Sequence, residues 1–103
     1  MTVARTDWKF LTNHGLALIS IAADPGIRLR DIADRVGITE RSAHRIVTDL
    51  VESGYVSRER TGRRNSYEVR PDLPVNLALE RDLQLGDLLG AVFATRERSA
   101  EGD

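Results

Sequence analysis

Residues 37–54 contain the pattern that most restricts how this chain can fold. Gly37 can end one helix and redirect the chain, Thr39 can cap the next helix, and Gly54 can end that helix. Apolar residues recur between them at i, i+3, i+4, i+7 and i+8, as Ala43, Ile46, Val47, Leu50 and Val51. This spacing predicts an amphipathic helix over residues 40–53, entered through a tight glycine turn.

Two shorter helices are predicted before this one. The first begins after a cap at Thr12 or Asn13 and stops at residues 24–26, Asp-Pro-Gly. The second covers about residues 30–36 and lacks a Ser, Thr or Asp at its cap position. Residues 27–29 between them predict a short strand.

A β-hairpin is predicted after the third helix. Residues 55–61 and 66–70 alternate apolar and polar side chains, and residues 62–65, Gly-Arg-Arg-Asn, form the connection. Within residues 57–70 there are five arginines and two glutamates. The hairpin is therefore expected to carry a positive charge.

The C-terminal third is predicted to form a connector and one helix. A rigid Pro-rich segment, residues 71–74, precedes a helix over about residues 83–98. Its apolar stripe consists of Leu85, Leu88, Leu89, Val92 and Phe93. In a small domain such a stripe is predicted to be shared with a second copy of the chain, although it could also lie back on its own domain. Near the N-terminus, Trp8, Phe10 and Leu11 are expected to pack against another part of the protein, with Trp8 a core or dimer aromatic.

Composition excludes several classes of protein. The chain has 103 residues and no cysteine, so it has no disulfide, thiolate zinc site or cysteine nucleophile. Its two histidines are 30 residues apart and do not suggest a metal site. No catalytic triad, paired carboxylates or phosphate-cradling glycine loop can be found, so we expect neither an enzyme nor a cofactor. No membrane span is apparent, and a cytoplasmic protein is expected.

Charge is distributed unevenly along the chain. The net charge is −1, but residues 1–70 carry 12 basic and 9 acidic groups, whereas residues 71–103 carry 3 and 7. A nucleic acid senses the local field within about one Debye length, roughly 8–10 Å. A basic front and an acidic back are therefore compatible with nucleic-acid binding.

These elements predict a mainly α protein with a small β-hairpin, of the α+β class. Residues 31–56 resemble the helix-turn-helix of MarR-like winged-helix transcriptional regulators. The resemblance rests on the pair Ile32-Ala33, the glycine turn, the threonine cap, and an ending from Leu50 to Val56. It covers about residues 11–70. It divides the chain into a DNA-binding domain, residues 1–70, and a connector with a dimerisation helix, residues 71–103.

The resemblance implies a homodimeric regulator of transcription, by default a repressor, that binds double-stranded DNA. The third helix would enter the major groove, and the hairpin would be the wing on the flanking backbone. The sequence leaves room for a small-molecule effector without indicating one. It does not specify an operator.

The residues themselves support these roles. With the apolar side of the third helix buried, its opposite side carries the predicted base contacts Arg41, His44, Arg45 and Thr48. Arginine can pair with guanine O6 and N7, and threonine can meet a thymine methyl. The alternative is a solvated surface with ordinary ion pairs such as Arg45–Asp49, although the Arg41–Arg45 spacing is repulsive.

Seven further residues are predicted to contact the DNA backbone. They are Thr39, Ser42, Arg58, Arg60, Arg63, Arg64 and Asn65. For the hairpin arginines, the alternative is a charged edge that prevents sheet aggregation. The alternative for the whole chain is a winged-helix protein-interaction or assembly module that does not bind DNA. The acidic residues of 71–103 and the near-neutral total charge favour this alternative.

Overall fold

The computed structural model describes residues 8–75 and 83–100, with side chains up to residue 94. Residues 1–7 of the N-terminal segment, residues 76–82 after the Pro-rich connector and residues 101–103 lie outside the described residues. Along the chain the elements are α1 (Asn13–Ala23), α2 (Leu29–Val36), α3 (Glu40–Glu52), β1 (Val56–Thr61), β2 (Arg64–Val69) and α4 (Leu85–Ala100).

The first helix begins where a side chain can satisfy its unpaired N–H groups. The Thr12 hydroxyl accepts a hydrogen bond from the Gly15 amide at 3.1 Å, so Thr12 is the cap of α1. The second helix has Arg28 at its cap position without any side-chain cap bond. The acidic Asp31 in the first turn of α2 suits the positive end of the helix dipole. Both features confirm the predicted helix starts to within one residue.

The turn between α2 and α3 has the predicted geometry. Gly37 adopts a left-handed conformation, with φ 85° and ψ 39°, that residues with a Cβ rarely adopt. Its amide donates to the Ala33 carbonyl at 2.8 Å, which closes the last turn of α2. Two residues later, the Thr39 hydroxyl accepts from the Ser42 amide at 3.1 Å and begins α3. The turn therefore fixes the direction in which α3 leaves α2.

The hairpin is tighter than predicted. Thr61 pairs with Arg64, so only Gly62 and Arg63 form the turn, whereas residues 62–65 were predicted to do so. Arg64 and Asn65 instead belong to β2. A two-residue turn lets the strands pair up to the tip, because its twist matches the twist of the strands.

The predicted strand at residues 27–29 is wrong. Ile27 is buried, but residues 27 and 28 have no strand assignment and Leu29 already belongs to α2. The Tyr67 amide of β2 donates to the Pro25 carbonyl at 2.9 Å. The chain then turns into α2 before a ladder can form, so burial of Ile27 reflects packing rather than pairing.

One hydrophobic core joins the helices to the base of the hairpin. The buried residues include Ile21 of α1, Ile32 of α2, Val47 of α3, and Val56 and Tyr67 of the two strands. The helix α3 contributes four of the five apolar residues that its spacing predicts, and α1 contributes Ala17, Leu18 and Ile21. Three helices with a glycine turn, followed by a two-stranded antiparallel hairpin, form a winged helix.

The start of α4 is attached to this body through backbone hydrogen bonds. The Leu85 amide donates to the Leu73 carbonyl at 2.8 Å, and the Gly86 amide donates to the Pro71 carbonyl at 2.9 Å. A Cβ at Gly86 would lie 3.1 Å from the Pro71 Cβ, so glycine permits this close approach. Residues 71–75 and the first turn of α4 therefore form one unit with the winged helix.

Two predictions about apolar residues need correction. Leu85 is only 1% exposed and belongs to the core of its own chain, so its side chain is not available to a second copy in this conformation. Trp8 and Phe10 are 59% and 92% exposed, and their rings contact each other edge to face with centroids 4.9 Å apart. Both precede the first helix and lie outside the core of the described residues, so the core role is wrong, whereas the alternative role of Trp8 as a dimer aromatic stays a prediction.

Candidate nucleic-acid interface

The side of α3 opposite the core presents three cationic or titratable side chains. Arg41, His44 and Arg45 are exposed, whereas Ala43, Ile46, Val47 and Leu50 are buried. Within the described part of the chain, neither arginine forms an ion pair. Their like charges are one helical turn apart and repel each other. The surface can therefore offer two guanidinium groups to an external anion or to a guanine edge.

The fourth predicted base contact, Thr48, presents a different group. It is half-buried, and its hydroxyl donates to the His44 carbonyl at 2.9 Å. Because the hydroxyl proton is used within the helix, the methyl group is the part of Thr48 best suited to an external contact. That is the chemistry of contact with a thymine methyl.

The two predicted backbone contacts at the start of α3 are bonded to each other. The Thr39 hydroxyl donates to the Ser42 hydroxyl oxygen at 3.0 Å while it accepts from the Ser42 amide. Both residues are exposed. A phosphate contact by Thr39 would exchange this bond, whereas Ser42 can turn its own proton to a phosphate with the cap intact.

One acidic residue of α3, Asp49, is paired with the first helix. Asp49 Oδ2 lies 2.8 Å from His14 Nε2, and the two side chains are 50% and 47% exposed. The alternative pairing of Asp49 with Arg45 is therefore not formed. This contact ties the start of α1 to the second half of α3. It also directs the one carboxylate in the middle of α3 away from Arg45.

The strand register separates the hairpin side chains into two faces. Val56, Arg58 and Arg60 of β1 share a face with Tyr67 and Asn65 of β2, because successive side chains alternate. The opposite face carries Ser57, Glu59 and Thr61 beside Glu68, Ser66 and Arg64. The five hairpin residues predicted to touch DNA are thus not on one continuous surface.

Two of these five residues, Arg58 and Arg60, have contacts elsewhere on the hairpin and its neighbours. Arg58 lies with Glu59 and Glu68 around an open groove of about 900 Å³, which is also lined by α1 and α4. The Arg60 Nε donates to the Gly62 carbonyl at 3.3 Å, so this side chain bends back over the turn. Both are exposed, but neither is among the residues that line the cleft beside the first residue of α3.

The other three residues adjoin the start of α3. Arg63, Arg64 and Asn65 line a cleft of about 460 Å³ whose opposite wall is formed by residues 26–30 and Glu40. Residues 26–30 include Arg28 and Arg30, both exposed. The tip of the hairpin therefore lies beside the N-terminal ends of α2 and α3.

Sequence reasoning missed three residues of this cleft. Arg28 and Arg30 flank the start of a helix and alternate with leucine, a pattern that a solvated helix end also shows. Glu40 resembles an ordinary first-turn acid at the positive end of a helix dipole. The signal that could have found them is the Arg-x-Arg spacing together with the tip arginines, but only the folded chain brings these segments together.

Metal clusters and membrane spans are two other kinds of feature that could indicate a function. In residues 8–75 and 83–94, no group of three or more His, Asp or Glu side chains is arranged to hold a metal ion. None of the helices in these residues is both long and apolar enough to cross a membrane.

Comparison with protein families gives a match to part of the chain. Residues 13–57 match the family described as winged helix-turn-helix DNA-binding. A search of curated proteins gives no match. The matched segment runs from the first residue of α1 to the second residue of β1, and so includes the whole of α3 but little of the hairpin. Fold and family match together support a winged helix-turn-helix regulator that binds DNA.

Proposed function

We propose that this protein is a homodimeric, sequence-specific regulator of transcription, a repressor of MarR-like type, that binds double-stranded DNA. In this proposal α3 lies in the major groove with Arg41, His44, Arg45 and Thr48 toward the base edges. Ser42 and the tip of the hairpin hold the flanking phosphates. Repression follows from occupation of a promoter.

One observation carries the proposal. The outward side of α3 holds two arginines without an ion pair among the described residues, while the nearby carboxylate of Asp49 is held by His14. An ordinary solvated helix would gain a few tenths of a kcal/mol from an Arg45–Asp49 pair. This arrangement leaves both guanidinium groups available for a partner rich in acceptors.

The dimer part of the proposal rests on α4. Leu85 and Leu89 face the core, and Val92 and Phe93 continue the same helix face while half-exposed. A second copy that covers the half-exposed Val92 and Phe93 would place two α3 helices on one duplex. The half-sites would then lie about 10 base pairs apart or a small multiple of that distance.

One experiment tests both DNA binding and its sequence specificity. Duplexes should be selected from a random pool, and the best sequence and a scrambled one titrated at two salt concentrations. We expect tighter binding to the selected sequence and a steep loss of affinity as salt increases. No binding to any duplex at low salt and micromolar protein would contradict DNA binding and favour the protein-interaction alternative.

The dimer is tested independently by sedimentation. Val92→Glu should shift the protein toward a monomer, because it places a charge in the apolar stripe. Ala91→Glu is the matched control, since Ala91 is exposed on another side of α4. Wild-type protein that sediments as a monomer at tens of micromolar would contradict the homodimer and leave DNA binding open.

A further inference from the structure

The cleft between the start of α2 and the hairpin tip concentrates positive charge from two separate segments. Arg28 and Arg30 form one wall, and Arg63 and Arg64 form the other. Among the residues of 8–75 and 83–94 that line the cleft, Glu40 is the only carboxylate. At neutral pH the lining therefore carries four positive charges and one negative charge.

These charges are not neutralised within the described part of the chain. None of the four arginines is within ion-pair distance of Glu40 or of another described carboxylate. Four guanidinium groups around one opening repel each other, so the arrangement is unfavourable for the isolated protein. An anion with several charged oxygens would relieve this repulsion, and arginine suits phosphate oxygens because its planar fork can donate two hydrogen bonds.

We infer that this cleft seats the sugar–phosphate backbone of one DNA strand, with Arg28 and Arg30 holding it from the α2 side and Arg63 and Arg64 from the hairpin side. This inference rests on the proposed function. It adds Arg28 and Arg30, which the sequence analysis did not predict, to the residues that contact DNA. Continuity supports the strand as occupant, since Glu40 lines the cleft and is the first residue of α3. A strand leaving the groove occupied by α3 would therefore reach the cleft next.

Glu40 opposes the charge of the four arginines in the cleft. Its carboxylate lies at the cleft and would repel the phosphates that the four arginines attract. Glu40 would then limit sequence-independent binding, so that the cleft positions a strand without holding every duplex tightly. Removing its charge should strengthen binding to DNA of any sequence.

The test compares three variants of the full chain on the selected duplex and on a scrambled duplex. The double variant Arg28→Gln, Arg30→Gln removes one wall of charge. The variant Glu40→Gln removes the opposing charge and keeps the side-chain length. The control is Arg35→Gln, because Arg35 is exposed on the same helix but is not among the residues lining the cleft.

We expect the double variant to bind both duplexes more weakly and to flatten the dependence of log affinity on log salt by about two units, because each arginine would neutralise one phosphate. Glu40→Gln should bind both duplexes about 1.5- to 5-fold more tightly, the range of an exposed charge interaction. Arg35→Gln should leave the salt slope unchanged. Unfolding curves of all variants verify that each is folded, and the single variants replace the double variant if it is not.

Other outcomes separate this inference from the proposed function. If wild-type protein binds the selected duplex but the Arg28/Arg30 variant keeps its salt slope, the cleft is not a strand site, although the protein still binds DNA. A Glu40→Gln variant with altered base preference would assign Glu40 to a base edge and overturn its role in the cleft. If wild-type protein binds no duplex at all, the proposed function and this inference fail together.

Discussion

The helix α3 and the hairpin are both predicted to bind DNA, but they arrange their charges differently. The middle of α3 exposes Arg41 and Arg45 on one side, and its carboxylate Asp49 is paired with His14. In the hairpin, charges alternate along β1, so Glu59 lies on the face opposite Arg58 and Arg60, and Glu68 of β2 shares that face with Glu59. A helix that packs on a core presents one outward side to solvent. The outer part of this two-stranded hairpin presents both faces.

This difference suggests a division of roles. On α3 the cap, the glycine turn and the buried apolar side fix the direction of each outward side chain, which base reading requires. In the hairpin only the tip joins the start of α3, and its arginines contribute charge rather than a fixed geometry. We therefore expect α3 to determine sequence preference and the hairpin tip to determine general affinity.

DNA binding should be weakened most by a substitution on the outward side of α3. Arg45→Ala should cost about 1–3 kcal/mol of binding free energy on the selected duplex and relax the preference at one base position. Competition titrations with single-base variants of the duplex measure this directly. If affinity falls equally on all sequences, Arg45 contacts only the backbone, and α3 does not read bases through it.

The next effect tests whether α3 depends on its cap. Thr39→Ala removes the hydroxyl that accepts from the Ser42 amide and should lower the free energy of unfolding by about 1 kcal/mol. Specific binding should fall with it, because the first turn of α3 would fray. Thr61→Ala in the exposed strand is the control, and an equal loss of stability in both variants would show that the cap has no special role.

A smaller and qualitatively different effect is expected at the hairpin tip. Arg63→Ala should weaken binding to the selected and scrambled duplexes by the same factor and flatten the salt slope by about one unit. Titrations over a range of salt concentrations supply the slope. An unchanged slope would remove the tip from the interface and leave α3 alone as the DNA-binding element.

The smallest expected effect concerns the link between α1 and α3. His14→Gln should destabilise the fold by less than about 1 kcal/mol, because the contact with Asp49 is half exposed to solvent. It should also weaken DNA binding slightly by releasing the Asp49 carboxylate toward Arg45. Asp49→Asn, which removes that carboxylate, should bind as well as wild type or better. Weaker binding by Asp49→Asn would mean that the link, rather than the charge, matters for α3.

The helix-turn-helix could be predicted closely from the sequence because its signals are local. Thr12 and Thr39 cap helices within three residues, and Gly37 needs only its own backbone angle. The apolar spacing of α3 likewise predicted the four buried residues of that helix, while the fifth residue of the pattern, Val51, is half-buried. These features depend on neighbours along the chain, so they can be recognised without knowing the fold.

The remaining features depend on contacts between distant segments. A strand at residues 27–29 would have needed β2 alongside it, but the chain turns into α2 after Pro25 has accepted from Tyr67. The core position of Leu85 follows from the approach of α4 to Pro71 and Leu73. The cleft that unites Arg28 with Arg63 spans 35 residues of sequence. Periodicity along one segment contains no information about such pairings.

An amide NMR map of the protein titrated with the selected duplex shows whether α3 and the hairpin tip form the DNA-binding surface. Shifts should concentrate at residues 39–48 and at the hairpin tip, residues 62–65, while residues 85–94 of α4 change little once the dimer is formed. Shifts confined to α4 and the groove beside Arg58, or no shifts at all, would contradict a DNA-binding surface formed by α3 and the hairpin tip.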